Sequence, residues 1–202
     1  MLEVEIKAEI LDPNLIIKKF KEHNGVYKVS LLHEDTYFNL PKGLRDFKKT
    51  DEALRLRKSI EFSKINREKV QKTTCFITYK GKKIDSITKS REEIEVKIED
   101  LDKMKDLLKV LGFQEIFTVK KERELYDFKF KNYRIKALVD YLPILKQHFI
   151  EVEIISDSIE DLEVCREKLF DFLSLFGIKK EESIRKSYLE LIADEFKNKL
   201  KI

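Results

Sequence analysis

The segment Glu3-Val4-Glu5-Ile6-Lys7 alternates charged and aliphatic residues over five positions. Neighbouring side chains of a β-strand point to opposite faces, so this segment as a strand has one ionic face and one apolar face. Two carboxylates on the same face repel each other unless a cation or a basic ligand holds them together. The segment therefore predicts a strand that binds a positive group on one side and packs against a core on the other.

The same alternating carboxylate pattern returns at Glu93-Ile94-Glu95-Val96 and at Glu151-Val152-Glu153-Ile154. Each of the three runs is followed by apolar residues at helical spacing and then by a glycine, which is typical of an amphipathic helix and its end. A fourth amphipathic stretch follows near the C-terminus. The predicted helices begin at Asp12 or Pro13, at Asp100, at Asp157 or Ser158, and at about Ser183; the first three end before Gly25, Gly112 and Gly177, and the last ends at about 200.

Other segments share the two-sided strand pattern. Their charged positions are Arg55 and Arg57; Lys80, beside Thr78; Arg91, ahead of Glu93 and Glu95; and Lys136 and Asp140, after Arg134. The segment 119–126 is the weakest candidate strand, because Lys121 and Arg123 alternate with further charged residues and leave no apolar face.

Length and composition limit the choices. We expect 202 residues without a linker to form one compact domain over 1–202. The chain has 42 basic and 38 acidic residues, a balance that argues against a general nucleic-acid or membrane surface. No apolar run approaches the roughly 20 residues that span a bilayer. Cys75 and Cys165 fit neither a metal site nor a disulfide framework, so we expect a cytoplasmic protein in which both are small core residues.

Two sheet arrangements accommodate such strands. An open antiparallel sheet would leave the charged face in water and pack the helices on the other face. A closed barrel would gather the charges in a lumen and leave the helices outside. The consistent use of arginine and paired glutamate across six strands, instead of Thr, Ser and Gln, favours the barrel and a polar tunnel.

A tunnel with both bases and acids suits a polyphosphate that carries a metal ion. Arginine and lysine complement phosphate oxygens, and clustered carboxylates hold Mg²⁺ or Mn²⁺. The chain has neither a Gly-x-x-x-x-Gly-Lys-Ser/Thr loop nor a Gly-x-Gly-x-x-Gly turn. We therefore expect side chains, and not backbone amides, to bind the phosphates.

The segment Glu3 to Lys7 resembles the Glu-x-Glu-x-Lys signature of the CYTH superfamily, the triphosphate tunnel metalloenzymes, which include class IV adenylate cyclases and thiamine triphosphatases. The resemblance extends over nearly the whole chain. It implies an α+β fold with a closed antiparallel β-barrel, or tunnel, of about eight strands and flanking α-helices. The matching segments after the first are 35–38, 53–57, 78–81, 91–95, 121–123, 139–140, 149–153 and 187–189.

The resemblance also implies roles for single residues. It implies a tyrosine and a lysine, Tyr37 and Lys80, that activate the attacking water. The metal carboxylates that it implies are Glu3, Glu5, Asp140, Glu151 and Glu153; the triphosphate-binding bases are Lys7, Arg55, Arg57, Lys80, Arg91, Lys121 and Arg123; further tunnel residues are Glu93, Glu95 and Lys136.

Two positions depart from the family. The segment 143–148 replaces a glycine-containing turn before the last acidic strand, which predicts a different tunnel entrance. Ala53 stands where thiamine triphosphatases tend to have a tryptophan, which argues against thiamine specificity. His33 and His148 have no matching ligands near them in sequence and are interpreted as a strand-edge and a loop histidine, not as metal ligands.

Three functions remain open at this stage. The first is metal-dependent hydrolysis of a triphosphate, either tripolyphosphate or a nucleoside triphosphate. The second is an adenylate cyclase that converts ATP to cyclic AMP and pyrophosphate, although no adenine-reading motif is visible. The third is a non-catalytic sensor of polyphosphate or nucleotide. A barrel with apolar helices outside is also compatible with a homodimer.

Overall fold

A computed structural model describes residues 2–62, 70–85, 87–156 and 158–199. The described part contains eight strands and five α-helices, with short 3-10 turns at Ile159–Asp161 and Lys180–Glu182. The strands are β1 Leu2–Ile10, β2 Val26–Asn39, β3 Ala53–Phe62, β4 Val70–Lys80, β5 Arg91–Ile98, β6 Gln114–Phe130, β7 Tyr133–Leu142 and β8 Gln147–Ser156. The helices are α1 Pro13–Glu22, α2 Phe47–Thr50, α3 Leu101–Val110, α4 Leu162–Ser174 and α5 Tyr188–Lys199.

The strands form a closed antiparallel barrel in the order β1-β5-β4-β3-β2-β6-β7-β8, which confirms the predicted fold class. Pairing between β1 and β8 is extensive and runs from Leu2 opposite Ser156 to Ile10 opposite His148. Closure between β1 and β5 is short, with Leu2 opposite Glu92 and Glu3 opposite Arg91. The first acidic run therefore lies between the two other acidic strands, β5 and β8.

The alternation in β1 sorts its side chains as the sequence predicts. Val4, Ile6 and Ala8 are fully buried in the main apolar cluster, which α1 and α4 complete from outside the barrel. In that cluster the ring of Phe20 on α1 packs edge-to-face against the ring of Phe128 on β6, with 5.2 Å between centroids. Glu3, Glu5 and Lys7 lie on the opposite face of the strand, where Glu3 and Glu5 line the lumen.

Two smaller apolar clusters hold the remaining long helices. Leu108 of α3 packs with Leu54 and Leu56 of β3. Tyr188 and Ile192 of α5 pack with side chains of β6, β7 and β8 at one end of the barrel, among them Val119, Leu142 and Phe149. No helix in the described part of the chain is long and apolar enough to cross a membrane.

The weakest predicted strand is part of the longest one. β6 spans 17 residues and pairs with β2 and β7, and the segment 119–126 lies in its middle. Its outer face lacks an apolar pattern because part of it stays in water, where Lys120 pairs with Glu34 on β2. The sequence pattern predicts no strand over residues 26–34, and most of β2 is visible only in the structure.

The C-terminal helix begins later than predicted. α5 begins at Tyr188 and not near Ser183, because the backbone N–H of Ile184 donates to the carbonyl of Lys7 at 2.7 Å and holds that segment against β1. Ser187 and Glu190 form a capping box, in which each side chain accepts a hydrogen bond from the backbone N–H of the other residue. The predicted end at 200 lies outside the described residues.

The aromatic and cysteine side chains near the helices are buried to different degrees. Phe170, Phe172 and Phe176 are buried in the main cluster, whereas Phe113 and Phe117 are only partly buried at the edges of the smaller ones. Cys165 is buried, but Cys75 on β4 is half-buried, because that strand lies at the rim of the α3 cluster.

Gly25, predicted as the end of α1, is required for close packing. Asn24 takes the left-handed conformation, with φ 61°, and the N–H of Gly25 donates to the carbonyl of Phe20 at 2.7 Å. A Cβ atom at Gly25 would lie 2.8 Å from that carbonyl oxygen and would clash with the ring of Phe128. Glycine is needed here for space and not for a positive φ.

We predict that Gly25→Ala lowers the free energy of unfolding by about 2 kcal/mol, because overpacking a rigid core typically costs about 1–3 kcal/mol. Gly81→Ala is the matched control, since its Cβ would meet its nearest neighbour at 3.5 Å, an ordinary contact. Urea denaturation measures both. Equal stability of the two variants would contradict the packing argument.

A charged tunnel as candidate active site

A cavity of about 1030 Å³ runs through the barrel. All but two of the residues predicted for the site line it. The lining includes Glu3, Glu5, Tyr37, Arg55, Arg57, Lys80, Arg91, Glu93, Glu95, Lys121, Arg123, Lys136, Glu151 and Glu153. The ionic strand faces therefore converge on one lumen.

Asp35 organises the arginines of β3. Arg57 donates to it through Nε at 2.6 Å and through Nη2 at 2.7 Å, and Nη1 of Arg55 lies 3.7 Å from the same carboxylate. Burial would raise the pKa of Asp35, but Arg57 and Arg55 together hold it well below its usual range. Asp35 is therefore an anion that fixes the orientation of both arginines.

Two arginines of the lining have guanidinium groups that can form further hydrogen bonds or ion pairs. Nε of Arg55 is buried and has no hydrogen-bond partner among the described residues. Arg91 is also buried, but its guanidinium donates only to backbone carbonyls, that of Gly81 at 3.1 Å and that of Asp51 at 3.5 Å, and it has no carboxylate within 4 Å in the described part. A buried donor without a partner is a position where an anionic ligand gains a hydrogen bond.

Glu151 sits among three cations. Its carboxylate accepts from Arg123 and, at 2.8 Å, from Nζ of Lys89, and Nζ of Lys121 lies 3.9 Å away. Burial would raise the pKa of Glu151, but Lys89, Lys121 and Arg123 hold it well below its usual range. The ion-pairing capacity of this carboxylate is already used.

Lys89 also joins Glu151 to Glu5. Its ammonium donates to a carboxylate oxygen of each residue. Burial would lower the pKa of Lys89, but Glu151 and Glu5 raise it, so the amine is charged. The pKa of Glu5 is raised by burial and by Glu151, and Lys89 offsets only part of this. Glu5 and Glu151 lie diagonally across the β1–β8 pair, since Glu5 is opposite Glu153 and Lys7 is opposite Glu151, and the cation between them is a lysine.

Glu3 lies in a more acidic neighbourhood. Burial, Glu153 and Glu93 all raise its pKa well above the usual range. The neighbouring acids have lysine partners, since Lys80 donates to Glu93 and Nζ of Lys136 lies 3.1 Å from Glu153. Glu3 has no basic group within 4 Å among the described residues, although Arg91 is directly opposite it across the β1–β5 pair. This is the carboxylate with the greatest need for an added cation.

The described acidic side chains of the lumen do not form a complete metal-binding site by themselves. Among the residues that the structure describes, no group of three or more His, Cys, Asp or Glu side chains is arranged to hold a metal ion. The donor chemistry nevertheless fits Mg²⁺ or Mn²⁺, because Glu3 and Glu153 are neighbouring carboxylates that face the same cavity. Waters and phosphate oxygens would complete such a coordination sphere.

Lys7 and Asp140 are placed differently from the prediction. Both are fully buried behind the lining. Nζ of Lys7 donates to the carbonyl of Lys186 and lies 4.1 Å from the ring centroid of Tyr188. Asp140 accepts from Arg123 at 2.6 and 2.5 Å and from the hydroxyl of Tyr188 at 2.8 Å. The carboxylate of Asp140 thus orients Arg123, and its oxygens are already occupied by these donors.

The predicted pair Tyr37 and Lys80 is not assembled. Both line the cavity, but no hydrogen bond joins them in the described structure, and Lys80 is engaged by Glu93. Burial and Asp35 raise the pKa of Tyr37, so its phenol stays protonated and can donate a hydrogen bond. Burial and Arg123 lower the pKa of Lys121 to about 8, which makes it a lining amine whose charge changes near neutral pH.

Three important residues have no role in the sequence analysis. Lys89 continues the two-residue alternation of Arg91, Glu93 and Glu95 backwards by one step, a signal that was available. Asp35 shares the alternation of Tyr37, but a single acidic residue in a strand does not predict that it will bind two arginines of the neighbouring strand. Tyr188 is within a matched segment, yet its contact with Asp140 depends on how α5 docks.

The interpretation of His33 as a strand-edge residue is wrong. It lies within β2, is 4% exposed, and its Nδ1 has no hydrogen-bond partner among the described residues. Burial and the nearby Arg57 lower its pKa well below the usual range, so the ring is neutral. The alternation that points Asp35 inward points His33 inward as well. His148 lies on β8 and not in a loop, and it stacks on Tyr141 with 4.6 Å between centroids.

A closed antiparallel barrel whose lumen is lined by both acidic and basic side chains defines the class of β-tunnel proteins. The sequence matches the CYTH domain over residues 1–188, and the chain therefore belongs to the CYTH domain family, as the resemblance predicted.

Similar proteins span nearly the same length. "Putative adenylate cyclase MJ0240" of Methanocaldococcus jannaschii is 41% identical over 192 residues, which are 95% of this chain and 98% of the relative. The structure of the PH1819 protein from Pyrococcus horikoshii OT3 matches with a TM-score of 0.80 and 36% identity over 96% of this chain and 99% of that one. "Putative adenylyl cyclase HpAC1" from Hippeastrum, described as having a dominant triphosphatase activity, matches with a TM-score of 0.61 over 96% of each chain. Its identity is 17%, so that likeness shows the fold alone.

The charge on Lys7 leads to a pH-dependent prediction for stability. Burial, followed by Lys89, lowers the pKa of Lys7 to about 7. Below that pH the folded protein must keep a buried ammonium; above it the folded amine is neutral while the unfolded one remains charged up to its ordinary value of about 10.4. The penalty on folding is therefore largest below pH 7 and declines as the pH rises toward 10.

We predict that Lys7→Met gains stability relative to the wild type by roughly 1–3 kcal/mol more at pH 6 than at pH 9. Urea denaturation at both pH values measures this difference. Lys136→Met is the matched control, because Glu153 raises the pKa of Lys136 and its charge does not change in this range. If the stability difference between Lys7→Met and the wild type is the same at both pH values, the buried ammonium of Lys7 does not cause the pH dependence of stability.

Proposed function

We propose that this protein is a metal-dependent phosphohydrolase that acts on a triphosphate, either tripolyphosphate or a nucleoside triphosphate, inside the tunnel. One observation carries the proposal. Among the described residues, Arg91 has no carboxylate within 4 Å and Glu3 has no basic group within 4 Å, although the two are cross-strand neighbours. A polyphosphate with its divalent ion supplies the missing partner of each, an anion for the base and a cation for the acid.

The bases of the tunnel are suited to hold a chain of phosphates. Arg55 contributes its free Nε, Arg91 contributes a guanidinium without a carboxylate, and Lys121 adds an amine on the opposite wall. Asp35 and Asp140 keep Arg57 and Arg123 in fixed orientations before any ligand arrives. Phosphoryl transfer depends mainly on such preorganised positive charge and on the alignment of the nucleophile.

Glu3 and Glu153 are the carboxylates that would hold Mg²⁺ or Mn²⁺. When bound, the ion neutralises phosphate charge and polarises the reacting phosphorus–oxygen bonds. The side chains of the protein position the substrate around it: the bases hold the phosphate oxygens, and the protonated phenol of Tyr37 donates a hydrogen bond within the lumen. The barrel wall limits the water that reaches the phosphates.

An adenylate cyclase is the second candidate, and the relative from Methanocaldococcus jannaschii carries that name. Cyclisation uses the same phosphate cage, but it also needs a nucleoside pocket that aims the ribose 3′-hydroxyl at the α-phosphate. Hydrolysis is preferred because the charged residues of the lining are accounted for by the phosphates and the ion alone. The apolar residues that also line the cavity, such as Phe38, Phe47 and Ile94, are compatible with a nucleoside triphosphate as the substrate. We also place the reaction in the cytoplasm, since Cys75 and Cys165 are free thiols.

Product analysis tests the proposal. Purified protein is incubated with tripolyphosphate or ATP and Mg²⁺ or Mn²⁺, and the products are separated and identified. We expect orthophosphate. Pyrophosphate together with cyclic AMP would establish the cyclase, and saturable binding without turnover would establish a sensor; either result would overturn hydrolysis as the function.

We predict that Glu3→Gln and Arg91→Gln each reduce turnover on the order of 10²-fold or more, the loss typical of a preorganised charge in the site. The fold should persist, because neither residue has an ion-pair partner that would be left buried and unpaired. Arg57→Ala is unsuitable for this purpose, because it would leave the buried carboxylate of Asp35 without the two hydrogen bonds that Arg57 donates.

Two charged residues that do not line the cavity provide the controls. Glu34→Gln on β2 and Arg134→Gln at the exposed start of β7 make the same chemical changes away from the cavity and should leave turnover unchanged. Thermal denaturation confirms that all four variants fold. Turnover within threefold of the wild type in both tunnel variants would remove the proposed site.

A further inference from the structure

We infer that Lys89 is a built-in cation that occupies the position between Glu5 and Glu151, so that the divalent ion binds only on the Glu3 and Glu153 side of the tunnel. This inference rests on the proposed function, because it takes the tunnel to be a metal-dependent triphosphate site. It assigns different cations to two pairs of acids that look alike in sequence.

The contacts of the ammonium carry the first part of the inference. Nζ of Lys89 donates to Oε1 of Glu5 and, at 2.8 Å, to Oε1 of Glu151. The side chains of Lys89 and Glu5 are each 11% exposed, and that of Glu151 is 5% exposed. Two buried carboxylates that share one ammonium have the arrangement in which an oxygen-bound cation is held.

Hydrogen bonds and an ion pair hold the residues around Lys89 in place, and they fix the position of its ammonium between Glu5 and Glu151. The backbone N–H of Lys89 donates to the carbonyl of Glu5 at 3.1 Å. Asp85, earlier in the same loop, accepts from the hydroxyl of Thr88 at 2.6 Å, and its carbonyl accepts from Nε of Arg185 at 2.9 Å. Arg166 on α4 adds an ion pair to Asp85 at 3.4 Å. The loop is thereby tied to β1, to α4 and to the segment before α5.

The surrounding charges carry the second part. Glu151 already faces Lys89, Lys121 and Arg123, and a divalent ion at its carboxylate would be repelled by all three. Glu3 faces the opposite situation, because the acids Glu153, Glu93 and Glu5 outnumber the base Lys80 among its charged neighbours, and it has no ion-pair partner in the described part. The added cation is therefore attracted to Glu3 and excluded from Glu151.

Titration with Mn²⁺ alone, without substrate, tests this assignment by isothermal calorimetry and by electron paramagnetic resonance of free Mn²⁺. We expect Lys89→Met to bind one more Mn²⁺ per chain than the wild type, or to bind the ion at least tenfold more tightly. Glu5→Gln should leave Mn²⁺ binding by the wild type unchanged, and should abolish the gain when it is combined with Lys89→Met. Lys82→Met removes the same charge from an exposed position of the same loop and should bind like the wild type.

Two results would overturn the inference: Mn²⁺ binding by Lys89→Met equal to that of the wild type, or a large loss of Mn²⁺ affinity in Glu5→Gln on its own. If Lys89→Met does not fold, the Glu5→Gln titration still decides the matter. These titrations measure no turnover, so their outcome is separate from that of the product analysis. A protein that binds Mn²⁺ as expected but releases no orthophosphate would contradict the proposed hydrolysis and leave the role of Lys89 intact.

Discussion

Charged side chains enclosed by a β-barrel must neutralise one another, because an isolated charge in the interior is far more costly than a paired one. In this protein the requirement is met by pairs that cross from strand to strand. Arg57 is bound to Asp35, Arg123 to Asp140, and Lys89 to Glu5 and Glu151. These pairs set the direction of each guanidinium and ammonium in the lumen. They also make Glu3 and Arg91, which have no ion-pair partner among the described residues, the positions where a ligand gains most.

The same strands explain the outside of the molecule. Every second residue of β1 is apolar, and Val4, Ile6 and Ala8 are buried under α1 and α4. A barrel with a polar lumen cannot use its interior as an apolar core, so the core lies between the sheet and the helices. This is why the helices each present an apolar stripe although the centre of the protein is ionic. Packing demands on the outer layer are correspondingly strict, as the fit of Gly25 against Phe128 shows.

Much of the fold follows from alternation that is visible in the sequence. The acidic runs at 3–6, 93–96 and 151–154 lie in strands, and the positions of Glu3, Glu5, Arg55 and Glu153 in one lumen agree with the two-residue period. β2 and β6 were harder to recognise because part of their outer face meets water and carries charges such as Glu34 and Lys120. There the pattern of one ionic and one apolar face disappears, and only tertiary pairing identifies the strand.

The site was less predictable than the fold, for a physical reason. Strand periodicity tells which way a side chain points but not which partner it meets. Lys7 and Asp140 share the inward direction of the lining residues, yet the start of α5 and the residues just before it cover both, through the hydroxyl of Tyr188 and the carbonyl of Lys186. Lys89 follows the alternation of β5 but lies before that strand begins, so its contact with Glu5 depends on how residues 87–90 are held against β1. Such contacts are decided by packing between elements distant in sequence.

The central claim is that one lumen receives both the metal ion and the phosphates. Paramagnetic broadening of backbone amide resonances by Mn²⁺ in the presence of tripolyphosphate tests it directly, because the effect falls steeply with distance from the ion. We expect the resonances of Glu3 and Glu153 to broaden first, and those of α3 on the outer surface to persist. Selective broadening around exterior acids such as Glu163, with β1 and β8 unaffected, would contradict the account.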